Sequence, residues 1–123
     1  MTQVVAPPGW PAEVRPPGVQ DWEASTTPWL LDIGPPELRS YAVLRRHPVV
    51  LARFAAVHTD AALEATRRAL GEVRTSLRDV VPPETVEQAV QAWEREIARL
   101  LARRRSVDLV EQALRGRRYR PRL

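Results

Sequence analysis

The chain has 123 residues, with nineteen basic and fifteen acidic side chains, a formal net charge of +4 and no cysteine. That length holds one domain with a modest core and is short for a deep catalytic cleft, and the missing cysteines exclude disulfides and thiolate metal sites. Every basic residue is arginine, which also excludes lysine Schiff-base chemistry and a P-loop.

Residues 1–20 hold five of the twelve prolines, at positions 7, 8, 11, 16 and 17. Proline removes a backbone donor and fixes φ, so this lead is expected to run extended in polyproline conformation. Two fates are open to it: a disordered arm, or an outer strap in which Trp10 and the prolines lie along the helices. Residues 1–36 carry a net charge of −3 against +3 for 37–80 and +4 for 81–123, so an acidic head can fold back on a basic body. The first residues have neither a basic start nor a continuous apolar run, and no segment approaches the roughly 18 apolar residues of a membrane span. The expectation is a soluble, cytoplasmic protein with no membrane partner.

A single helical domain is expected over 21–115, followed by an arginine-rich tail over 116–123. Asp21 and Thr27-Pro28 are alternative start signals for a helix of two or three turns ending at Gly34. The next helix is expected from Pro36 to Arg46, with Glu37 in its first turn, Arg45 and Arg46 in its last, and His47-Pro48 as the break.

The rest of the chain reads as a long antiparallel helical hairpin, about 48–80 and 83–115, folded at Pro82 and Pro83. Backward from the prolines, Leu77, Val73, Leu70, Thr66, Leu63, Thr59, Ala56, Ala52 and Val49 follow in alternating steps of four and three. Forward, Val86, Val90, Trp93, Ile97, Leu100, Arg104, Val107, Glu111 and Leu114 mirror them, each pair of numbers summing to 163. Such spacing keeps one stripe of each helix facing the other, as in a coiled coil. Charges in the same register predict the pairs Arg74–Glu87, Arg67–Glu94, Glu64–Arg99 and Asp60–Arg103. Proline is tolerated in a first helical turn and disruptive in an interior, which places the turn. At about 1.5 Å per residue each arm spans on the order of 50 Å. A second stripe, Val50, Phe54, Val57 and Ala61, is expected to lie under the short helices at the open end, as are Leu101, Leu109, Val110 and Ala113. The fold class is all-α.

No motif names a reaction, and the expected function is that of a non-enzymatic protein–protein interaction or scaffold module without cofactor. His58, Asp60 and Glu64 come nearest to a metal cluster, but His58 lies two residues from Asp60 and turns to another side of the helix. Ser40, Ser76 and Ser106 have no adjacent base. The partner is another protein or a second copy, because a two-helix seam leaves apolar surface uncovered near its turn and two hairpins can close a four-helix bundle. The alternative is nucleic acid: Arg115, Arg117, Arg118, Tyr119, Arg120 and Arg122 interleave guanidinium groups with an aromatic ring, a composition suited to phosphate contact and stacking. Arg103, Arg104 and Arg105 form a secondary basic candidate, with Arg104 awkwardly placed on the seam.

Overall fold

The structure, a computed structural model, describes residues 5–117. Among them there are four α-helices, one 3-10 helix and no strand: α1 (Trp22–Ile33), the 3-10 helix Pro36–Ser40, α2 (Ala42–Arg46), α3 (Pro48–Leu77) and α4 (Pro83–Leu114). The two long helices pack closely. Arg74, late in α3, meets Glu87, early in α4, and Arg53, early in α3, meets Glu111, late in α4. None of the described helices is long and apolar enough to cross a membrane.

The alternating three-and-four spacing selects the packed positions well. None of the eighteen residues from Val49 to Leu77 and from Val86 to Leu114 that follow it is exposed. The polar residues among them are accommodated individually. Buried Thr59 donates to the Ala55 carbonyl at 2.8 Å, and Arg104 leaves the seam to bond Asp60 at 2.8 Å. Both Pro48 and Pro83 sit in first helical turns, where a missing N–H costs nothing. The first arm is shorter than expected and stops at Leu77 rather than near 80. Val80 and Val81 both donate back to the Leu77 carbonyl, and Asp79 adopts φ 66° in the connection. The second arm ends at Leu114. Arg117 N–H bonds the Gln112 carbonyl and Gly116 N–H the Ala113 carbonyl, with Gly116 at φ 87°, the Schellman pattern that favours glycine.

The stretch 36–46 is two short elements, not one helix. Tyr41 is extended at φ −91° and ψ 109° and separates them. Leu38 and Leu44 are both buried, yet six residues of continuous helix would point them about 120° apart. The break at Tyr41 lets both reach the core, and Tyr41 itself is left exposed.

The lead is not extended over its described part. Pro7 to Trp10, Pro11 to Val14 and Pro16 to Val19 are each closed by a hydrogen bond from the fourth residue to the first. Gly9 and Gly18 stand third in two of these turns at φ 89° and 91°, the conformation a type II turn demands after proline. The result is a strap. Pro7, Pro11 and Val14 are buried, and the Trp10 ring lies 6.1 Å from that of Trp22. The Trp10 indole N–H donates to the Val14 carbonyl, and Ser106 on α4 donates to the Gly9 carbonyl at 2.7 Å.

α1 starts at the earlier of the two signals and carries Pro28 in its interior. Asp21 is left-handed at φ 62° and makes no capping bond. With α2 and the strap, α1 covers one side of the open end, where Leu30, Leu44, Leu51, Val107 and Val110 form a core with almost no exposed surface. The covered column on α3 is Leu51 and Ala55. Phe54 and Val57, expected beneath the short helices, are 44% and 60% exposed on another side.

Candidate interaction surfaces

The cross-helix charges lie on one side of the pair. Arg53, Asp60, Arg67 and Arg74 recur every seven residues on α3, and three of them reach α4: Arg53 to Glu111, Asp60 to Arg104 and Arg74 to Glu87. Glu87 accepts both Nε and an Nη of Arg74 at 3.1 Å, which raises the Arg74 pKa above its ordinary value. Of the four pairs read from the sequence, only Arg74–Glu87 is among the ion pairs. Glu64 bonds Arg68 and Glu96 bonds Arg99, both within one helix, where partners three or four residues apart are nearer than any across the seam. Asp60 takes Arg104 instead of Arg103. A strict 3.5-residue repeat on straighter 3.6-residue helices drifts about 20° per heptad, so pairing slides by nearly a residue between the turn and the open end.

Glu111 is the most enclosed of these charges, only 7% exposed. Its carboxylate is held from α3 by Arg53 at 3.2 Å and from its own helix by Arg115 at 2.9 Å. The sequence marked Glu111 only as a weak seam position. An i, i+4 spacing to Arg115 was the signal for its second partner. Arg115, read as part of the tail, is thus engaged on the helix, whereas Arg117 is exposed. Arg118, Tyr119, Arg120 and Arg122 lie outside the described residues.

Arg103, Arg104 and Arg105 do not share one surface, because successive helical residues turn by about 100°. Arg104 serves Asp60 and Arg105 faces solvent. Arg103 enters a cleft of about 290 Å3 between the strap, α1 and α4, walled by Glu13, Pro28, Trp29, Asp32 and Ile33. Burial lowers the pKa of its guanidinium, as does neighbouring Arg99, with Glu96 acting in the opposite sense. His58, Asp60 and Glu64 do not converge: the two acids are committed to Arg104 and Arg68, and His58 lies against Gly34 at the end of α1. Among the described residues no three His, Asp or Glu side chains gather as metal ligands.

The other side of the helix pair is only half covered. On α3 the column that begins with Leu51, Ala55 and His58 continues at heptad steps through Ala62, Ala65, Ala69, Glu72 and Ser76. At the open end α1 and the strap lie over it. From the level of His58 to the turn no described residue does, and Ala69, Glu72, Val73, Ser76, Leu77 and Trp93 line a shallow groove of about 150 Å3. Val73, Leu77 and Trp93 form its apolar part, and exposed Glu72 and Ser76 flank it.

No family model, curated protein or solved structure matches this chain.

Proposed function

We propose that this chain is a non-enzymatic helical interaction module: α3 and α4 act as one antiparallel hairpin, with Leu70 facing Trp93 and Leu63 facing Leu100, and the groove near the turn receives another protein or a second copy. The half-burial of Leu77 and Trp93 in a groove that no third described element covers is the observation that supports this reading most. Large side chains contribute roughly 1.5–3 kcal/mol each when fully buried, so completing their burial on binding is a substantial driving force. Because the chain has no cysteine, a photo-crosslinker can be attached uniquely at Ser76→Cys in the groove or, as a control, at exposed Ala102→Cys. The reading predicts protein adducts from Ser76→Cys, in concentrated protein or in extract, that Leu77→Glu abolishes. Equal adducts from both positions, or none from either, would contradict it.

A second reading is association with the RNA or DNA backbone through the tail from Arg115 to Arg122. Exposed Arg117, just past the helix end at Gly116, favours it. It predicts binding that weakens steeply with salt and is lost on truncation after Leu114; salt-independent binding contradicts it.

A further inference from the structure

Arg103 stands apart from its neighbours on α4. Arg99 is bonded to Glu96, Arg104 to Asp60 and Arg115 to Glu111, whereas Arg103 makes no ion pair among the described residues. The cleft it enters has two other charged groups, Glu13 on the strap and Asp32 on α1, and an apolar wall of Pro28, Trp29 and Ile33. Neither carboxylate comes within 4.0 Å of its guanidinium. Asp32 gives Oδ1 to Arg39, and Glu13 is exposed and makes no ion pair among the described residues. Burial acts against the charged form of Arg103, and the neighbours that perturb it, Arg99 and Glu96, belong to its own helix. One cleft thus holds a positive group and a negative rim that do not neutralise each other.

The charges and the space together select a guest. At about 30 Å3 per water-sized group, the 290 Å3 cleft has room for about ten non-hydrogen atoms. An anion alone would meet Glu13 and Asp32, a cation alone would meet Arg103, and an apolar molecule would strip water from all three charges without pairing any. Only a molecule charged oppositely at its two ends suits them all. We infer that the cleft binds a small zwitterion of the ω-amino carboxylate class, with its carboxylate on Arg103, its ammonium on Glu13 and Oδ2 of Asp32, and its methylene chain against Trp29 and Pro28. A guanidinium presents paired donors to a carboxylate, and an indole ring favours a neighbouring ammonium as well as apolar contact. The walls are set before binding: Trp29 and Ile33 pack on the core, and Ser106 fastens the strap through the Gly9 carbonyl at 2.7 Å. The inference is independent of the groove near the turn.

The test titrates the full chain with ε-aminocaproate while the four tryptophan indole signals are followed by NMR. The Trp29 signal is expected to shift saturably, with an affinity on the order of millimolar or tighter, while that of Trp93 in the distant groove stays in place. Caproate, which lacks the amine, and hexylamine, which lacks the carboxylate, should each bind at least tenfold more weakly. Arg103→Gln should weaken ε-aminocaproate at least tenfold and Glu13→Gln several-fold, with helical content unchanged. Glu13 is exposed on the strap, so its substitution carries the test even where Arg103→Gln disturbs the fold. No shift at tens of millimolar, equal shifts at Trp29 and Trp93, equal binding of the three probes, or full affinity in the folded variants overturns the inference.

Discussion

The two ends of the helix pair are built from similar sequence and packed differently. At the open end Leu51, Ala52, Ala55, Ala56, Val107 and Val110 have no exposed surface, because α1, α2 and the strap add a second layer to the seam. Toward the turn Leu63, Val73, Val86, Val90 and Leu100 are buried, while Leu70, Leu77, Trp93 and Ile97 keep part of their surface in water. A two-helix seam buries one stripe of each helix, whereas a globular core requires a wider face. Stability is therefore concentrated at the open end, and the turn end is left with apolar surface in water.

The sharpest way to break this contrast is to truncate one leucine in each half. Leu51→Ala should destabilise by about 2–5 kcal/mol in denaturant unfolding, since it removes a fully buried side chain from a layered core. Leu77→Ala should cost less than about 1 kcal/mol when the protein is dilute, because a half-exposed side chain leaves no sealed cavity. Similar losses at both positions would erase the distinction.

Glu111 offers the next effect. Replacing both Arg53 and Arg115 with Ala leaves a nearly buried carboxylate unpaired and should cost about 3 kcal/mol, whereas Glu111→Leu frees two half-exposed guanidinium groups that water can solvate and should fall within about 1 kcal/mol of the parent. Thermal unfolding of the two variants reads the asymmetry directly. A smaller loss, about 0.5–1.5 kcal/mol, is expected from Ser106→Ala, which frees the strap from α4 at Gly9; faster proteolysis near Gly9 would accompany it.

The smallest effect is set by pH. The hydrogen bond from Arg99 holds the Glu96 carboxyl below the ordinary carboxylate range, with burial acting in the opposite sense. A depressed carboxylate pKa adds stability that is present above the unfolded value and lost as pH falls through the folded one. Unfolding midpoints should drop slightly below about pH 4, and Glu96→Gln should flatten that slope; solvent screening keeps the effect small.

How far the sequence discloses this molecule follows from which constraints are periodic. The close packing of two long helices is legible because thirty-residue helices repeat their apolar spacing many times, and the polar positions Thr59, Arg104 and Glu111 interrupt that spacing without hiding it. Ion-pair partners were harder to read, because a long arginine reaches several carboxylates and helical drift changes which is nearest. Prolines alone suggest an extended lead, whereas Pro7-Pro8-Gly9 and Pro16-Pro17-Gly18 carry the turn signal that the strap follows. The break at Tyr41 had no local marker at all: it follows from Leu38 and Leu44 sharing one core. The groove near the turn was implied by the lack of a third helix there, but its edge at His58 depends on where α1 comes to rest.

Residue-resolved hydrogen exchange over a concentration series tests the division between the two ends most directly. The account predicts strong, concentration-independent protection around Leu51 and Val107. Around Ala69 and Val90 it predicts exchange that is orders of magnitude faster than at the open end in dilute protein. Uniform protection along both helices, unchanged by dilution, would contradict it.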